Sequence, residues 1–274
     1  MSTSTRKHTV VTSHGALAVE ERGEGGLPVL LIHGNSFCRD VFRHQLQGRL
    51  AEKHRVIAFD LPGHGQSSNA VDPTTTYALG GLADAALELL DRLAVTEVIV
   101  FGWSLGGHIG IHMLSRFPGM RGLMITGSPP VPMGGMAQGF NAGPHMALAG
   151  KQDVSNTEIE SFIHAIFGDG AEPFLRDAVA RADGRFRKRL FEAARAGDGV
   201  DQRMTVESSP VPIAVVNGRE DPVIKLDYFD TVAFGHLWEG QCHRLPGVGH
   251  VPFWSAPTDF NPILERFVRD VDIG

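Results

Sequence analysis

Val98-Ile99-Val100-Phe101-Gly102-Trp103-Ser104-Leu105-Gly106-Gly107-His108 is the stretch whose reading decides the fold. Its first half is a β-branched apolar run, the pattern of a strand buried on both faces. Its second half passes through Gly-x-Ser-x-Gly into a helical spacing at Ile109, Ile111, Met113 and Leu114. A strand, a very sharp turn and a helix are therefore predicted in immediate succession. A serine on such a turn holds a strained backbone, and glycines two residues to either side let strand and helix approach without Cβ clashes. Ser104 is thereby the candidate nucleophile, with its hydroxyl at a helix N-terminus where unpaired N–H groups favour developing negative charge. Short Gly/Ser strings arise by chance in a chain with 33 glycines, so the strand before and the helix after carry the assignment.

The flanking sequence repeats the strand–helix rhythm. Upstream, Thr9–Thr12 and Ala16–Glu20 alternate on either side of Ser13-His14-Gly15 and predict a hairpin. Pro28–Ile32 and Arg55–Asp60 read as buried strands, with a helix between them over Val41–Leu50 and a tight turn at Leu61–Ser67. Residues 74 to 93 predict one long amphipathic helix, with apolar positions at Leu79, Leu82, Ala83, Ala86, Leu87, Leu90 and Leu93. Gly122–Thr126 is the next strand. This alternation calls for an α/β, doubly wound, mostly parallel sheet, on which ligands bind at the carboxyl ends of the strands. His33, Asp60 and Ser104 fall at those ends.

At Ser128-Pro129-Pro130-Val131-Pro132 the chain leaves the sheet, since this run suits neither a helix nor a central strand. Three helical patterns follow, at 156 to 167, 172 to 183 and 184 to 196, before strand character returns at Pro212–Gly218. A helical cap at 129–208 is thus expected to be inserted into a core formed by 1–128 and 209–274. Met136, Phe140, Met146, Phe162 and Phe167 are candidates to line a pocket beneath it, with His33 and Trp103 at the strand ends, although each also serves ordinary packing. The basic run Arg181, Arg185, Arg187, Lys188, Arg189 and Arg195 reads as a solvated face with local ion pairs. The last strand, near 240 to 245, leads to Gly249-His250, and a helix over Asp259–Val271 ends the pattern.

Serine at its ordinary pKa is a poor nucleophile and needs a base, which in turn needs a group to fix its tautomer. The chain order Ser104, Asp221, His250 supplies all three, with His250 as base and Asp221 as its orienting acid. Glu220 is the rival acid; Pro222 beside Asp221 favours Asp221. The main-chain amides of Leu105 and Asn35 are the expected oxyanion donors, each typically worth about 3 kcal/mol in the transition state.

Net charge of −6 argues against nucleic acid or an anionic membrane surface as partner and for a small, weakly charged molecule. His108 and His112 have metal-ligand spacing, but no glutamate follows His108 and no third ligand is near, so the pair reads as helix packing. No phosphate-loop spacing occurs, so neither a nucleotide cofactor nor a metal is expected. Two cysteines, Cys38 and Cys242, form no disulfide framework, and Met1–His14 lacks an apolar leader, which points to a cytoplasmic protein.

The set His33-Gly34, Asp60-Leu61-Pro62-Gly63-His64-Gly65, Gly102-Trp103-Ser104-Leu105-Gly106, Gly218-Arg219-Glu220-Asp221-Pro222 and Gly249-His250 resembles the α/β-hydrolase superfamily. Through His33–Ser36, Trp103–Ile111, Met120–Gly127, Gly143–Gly150, Pro212–Arg219 and Phe234–Gly240 the chain is similar to the metal-independent N-acyl homoserine lactonases of that fold. The resemblance implies an α/β-hydrolase fold with a mostly parallel eight-stranded sheet, helices on both faces and an inserted helical cap. It also implies a lactone or ester substrate opened through Ser104, His250 and Asp221. A carboxylesterase, a carbon–carbon bond hydrolase and a non-catalytic small-molecule receptor are the alternatives. One position departs from the pattern: Phe162 stands where such lactonases can carry a cap tyrosine, and a phenyl ring donates no hydrogen bond.

Overall fold

The computed structural model describes residues 5–272. Eight strands form one sheet in the order β1-β2-β4-β3-β5-β6-β7-β8. They are β1 Thr5–Thr12, β2 Gly15–Arg22, β3 Val29–Ile32, β4 Val56–Phe59, β5 Val98–Trp103, β6 Met120–Thr126, β7 Ile213–Gly218 and β8 Leu237–Leu245. The β1–β2 hairpin and the β2–β4 pair are antiparallel. Every other pairing is parallel, as buried strands joined by helical crossovers require. β3, β4, β5 and β7 are buried along their whole length, which is why they read as continuous apolar runs rather than alternating ones.

Two expected helices are broken, each by a long-range contact. Val41–Leu50 is not one helix but a 3₁₀ turn at Arg39–Phe42 followed by single helical turns at Arg43–Leu46 and Leu50–Lys53. The His44 carbonyl, which would accept from Gly48 N–H in a continuous helix, instead accepts from Asn261 Nδ2 at 3.2 Å. The side chain of Gln45 is drawn inward to Phe253 O at 2.9 Å and Asn261 Oδ1 at 2.7 Å. The 74–93 pattern is a turn at Pro73–Thr76 and a helix that starts only at Leu79 and runs to Arg92. Between them Ala78 is extended, because the fully buried Tyr77 is held by its hydroxyl to Ala70 N (3.0 Å) and Asp183 Oδ2 (2.8 Å).

Between β6 and β7 the described residues form helices and loops, the longer helices being Asn156–Phe167, Pro173–Arg181 and Gly184–Arg195. Ser155 opens the first with a capping box to Glu158. The basic run is not uniformly solvated. Arg187 is 4% exposed, and its guanidinium donates to Lys151 O (2.8 Å), Gln152 O (3.1 Å) and Ser36 Oγ (3.2 Å), bolting this segment onto the loop after β3. A buried charge tolerates such a place because carbonyl and hydroxyl oxygens replace its water. No helix among the described residues is long and apolar enough to cross a membrane.

Candidate active site

Ser104 stands where β5 meets the helix Leu105–Leu114, with φ 53° and ψ −116°, in a region that costs a non-glycine residue strain. The neighbouring glycines make the turn possible. A Cβ on Gly102 would lie 2.3 Å from Gly106 O, and one on Gly106 would lie 1.9 Å from Ile32 O. The turn is strapped to the end of β6, where Ser104 N donates to Thr126 O at 2.7 Å and Ser128 Oγ donates to Ser104 O at 2.8 Å.

His250 follows β8, is 2% exposed, and donates through Nδ1 to Asp221 Oδ2 at 2.8 Å. Asp221 sits just past β7. Its Oδ1 accepts from Val223 N at 2.8 Å and Ile224 N at 3.3 Å, so both carboxylate oxygens are committed. Glu220 faces away: it is exposed, and its Oε2 accepts from Val248 N at 3.0 Å. One residue of shift at a strand end thus separates the group behind His250 from a solvent-facing one. Trp103 Nε1 donates to the His250 carbonyl at 3.0 Å, tying the residue before Ser104 to the histidine. Gly127, at φ 67°, makes room for the imidazole, since a Cβ there would lie 2.5 Å from Cε1. The local pattern gave no sign of Gly127 beyond its place at a strand end.

Ser104 and His250 line one cavity of about 170 Å³. Trp103, Met136, Phe140, Met146 and Phe162 line it as well, and so do Asn35 and Leu105. Among the described residues the main-chain amides of Asn35 and Leu105 have no acceptor. The Asn35 side chain reaches the helix Pro144–Ala149, donating through Nδ2 to Ala149 O at 3.0 Å. Phe162 stacks on Phe37 at 5.7 Å between centroids, and Phe37 in turn packs on Trp103 at 5.3 Å. Phe167 packs edge-on against Phe37 and Trp103 as part of the core.

His33 is not in the cavity wall. It is fully buried, donates through Nδ1 to Gly34 O at 2.8 Å and accepts at Nε2 from Leu61 N at 3.0 Å, so its ring organises the strand ends. His64 behaves alike, with Nδ1 donating to Pro62 O at 3.1 Å and Nε2 accepting from Ser36 N at 3.2 Å. Burial pushes both imidazoles below the usual histidine range, His64 well below it.

The wall also holds His108 and His112, which the sequence suggests as helix packing alone, together with His145 and Gln202, which it does not single out. Burial lowers the pKa of His108 and of His112 to about 4, and lowers that of His145, so all three are neutral at pH 7. His108 and His112 do share one helix face, as their spacing indicated. His145 lies in a segment without regular apolar spacing, where a lone histidine carries no signal.

A mostly parallel eight-stranded sheet, with a serine on a strained strand–helix turn and a buried Asp–His pair opening on the same cavity, defines the class: the chain belongs to the alpha/beta hydrolase family, whose model matches residues 29–263. More particular likenesses follow. The chain superposes with a TM-score of 0.95 on the N-acyl homoserine lactonase AidH complexed with N-butanoyl homoserine, at 49% identity over 97% of each chain. A mutant of that lactonase complexed with N-hexanoyl homoserine lactone gives a TM-score of 0.94 at the same identity, covering 97% of this chain and 98% of the other. Among curated proteins, it is 28% identical over 268 residues to the pimeloyl-[acyl-carrier protein] methyl ester esterase of Stenotrophomonas maltophilia, covering 91% of this chain and 95% of that one. It is 27% identical over 256 residues to the dihydrolipoyllysine-residue acetyltransferase component of the acetoin cleaving system of Cupriavidus necator. That match takes in 89% of this chain but spans only 64% of the acetyltransferase component's length.

Proposed function

We propose that the protein is a serine hydrolase that opens the lactone ring of N-acyl homoserine lactones, with residues 129–208 acting as a cap over the site. The observation that carries this reading is the buried 2.8 Å bond from His250 to Asp221 at a cavity shared with the strained Ser104. Likeness to a lactonase at 49% identity over nearly the whole chain supports the substrate class.

In this mechanism His250, held by Asp221 with its proton on Nδ1, accepts the Ser104 proton at Nε2 as Oγ attacks the lactone carbonyl. Asp221 stays ionised and stabilises the imidazolium. The amides of Asn35 and Leu105 take the oxyanion, each worth about 3 kcal/mol. Collapse of the tetrahedral intermediate breaks the ring C–O bond and leaves an acyl-enzyme whose alkoxide is still tethered to the acyl group. His250 must protonate that alkoxide before the ring closes again. Water then attacks the acyl-enzyme as His250 takes its proton, and collapse of the second tetrahedral intermediate breaks the bond to Ser104 Oγ, which receives that proton back from His250 as the hydroxy acid leaves. Trp103, Met136, Phe140, Met146 and Phe162 offer apolar surface to the acyl tail, a contact that stabilises in proportion to the area removed from water.

The test is a turnover panel of N-acyl homoserine lactones and short p-nitrophenyl esters with the wild type and Ser104→Ala. Lactone opening that disappears in Ser104→Ala, while lactone binding persists, supports the reading. Full activity in the variant eliminates it. Ester turnover without lactone turnover assigns the site to a carboxylesterase, the reading that the methyl ester esterase relative would favour.

A further inference from the structure

The helix that begins after Ser104 brings His108, four residues on and about 6 Å along the axis, to the same cavity. His108 Nδ1 lies 2.7 Å from Oε1 of Gln202, which is 5% exposed and opens the helix Gln202–Ser208. A carbonyl oxygen only accepts, so Nδ1 carries the proton and Nε2 bears the lone pair. Burial keeps the ring neutral, with its pKa lowered to about 4. With Gln202 Oε1 facing Nδ1, Nε2 is the ring's hydrogen-bond acceptor, and among the described residues the His108 side chain makes its one hydrogen bond through Nδ1. In a wall otherwise dominated by apolar side chains, a neutral acceptor of set tautomer calls for a donor on the ligand.

We infer that His108 is a specificity-determining residue whose Nε2 accepts the N–H of an acylamino group on the carbon next to the attacked carbonyl, with Gln202 as the positioning residue that holds the tautomer. This rests on the lactonase reading and deepens it: the site selects α-acylamino lactones over lactones that lack the N–H. The lengths agree. An amide nitrogen on that carbon is about 2.5 Å from the carbonyl carbon. A hydrogen bond of about 3 Å from it then reaches about 5.5 Å from the attacked carbon, and His108 lies in the wall of the cavity that Ser104 also lines. His112 does not serve as well. It lies a further turn away, and no partner among the described residues fixes its tautomer.

The experiment compares kcat/KM for N-hexanoyl homoserine lactone and for its isostere in which CH2 replaces the N–H, using the full chain. The wild type is expected to favour the amide by about 10-fold or more, because the isostere leaves the His108 acceptor in the cavity wall without a donor. His108→Phe should bring the ratio close to 1, whereas His108→Gln, which keeps an acceptor, should retain part of it. Gln202→Leu should lower the ratio by freeing the tautomer. A packing role for His108 would change the two rates together and leave the ratio alone. A wild-type ratio near 1, or one unchanged in His108→Phe and Gln202→Leu, overturns the inference. Should His108→Phe fail to fold, the wild-type ratio and Gln202→Leu decide. A wild type that opens neither lactone sinks the lactonase reading and this one with it, whereas equal opening of both sinks this one alone.

Discussion

Asp221→Asn tests the chemistry most directly, because the structure dictates which way the new amide must face. Asp221 Oδ1 accepts two main-chain N–H groups, Val223 and Ile224, while Oδ2 accepts from His250 Nδ1. An asparagine keeps its oxygen toward the two N–H groups, since turning its NH2 there would set donors against donors. Its NH2 then meets His250 Nδ1, which must accept, so the imidazole proton moves to Nε2 and the ring loses the lone pair that would take the Ser104 proton. A comparable tautomer error in a serine protease costs about 10⁴ in kcat, equivalent to about 5 kcal/mol of barrier. Lactone opening followed with a pH indicator should therefore fall by about 10⁴. The melting temperature should stay close to the wild type, because the two N–H bonds and the side-chain volume are kept. Glu220→Gln, one residue away and exposed, should change turnover by less than about threefold. Asp221→Asn turning over within tenfold of the wild type would falsify the assignment of His250 as base.

The remaining expectations concern stability and reactivity. Gly106→Ala would put a methyl 1.9 Å from Ile32 O and 2.5 Å from Ile32 C, both backbone, and is expected to cost about 3 kcal/mol or more; Gly80→Ala, with nothing within 4 Å, should leave the melting temperature unchanged or slightly raised. His33 and His64 have lowered pKa values when folded and ordinary ones near 6.5 when unfolded. Their neutral rings therefore contribute stability that is fully present above about pH 6.5 and is lost as the pH falls below it. The urea midpoint should drop between roughly pH 7.5 and 5, where carboxylates remain ionised, and a flat profile there contradicts the argument. Burial, with nearby carboxylates, pushes the Cys38 thiol up to about 12 and the Cys242 thiol up to about 11, so iodoacetamide at roughly pH 8 should label neither in the native protein and both in urea. Rapid native labelling of Cys38 would show that its pocket opens.

The sequence alone determined the features whose cause is local. A β-branched run, two glycines about a serine and an apolar spacing of three and four specify a strand, a turn and a helix through neighbouring residues, so the position of Ser104 and the parallel sheet were legible. Met136, Phe140, Met146 and Phe162 were legible as apolar side chains, while that they line a cavity rather than only pack was decided by the tertiary structure. Tertiary structure decided whatever depends on residues distant along the chain. Asp221 rather than Glu220 meets His250 because of how the ends of β7 and β8 face each other. Asn261 takes the His44 carbonyl and breaks a helix that the local pattern favoured, and Tyr77 breaks another through Ala70 and Asp183. His33 turns inward to Leu61, Arg187 is buried among carbonyls, and Gln202 fixes His108 across 94 residues of sequence. Periodicity records which face of an element is apolar; it holds no information on which polar atom across the fold will complete a hydrogen bond, and in this protein those bonds build the site.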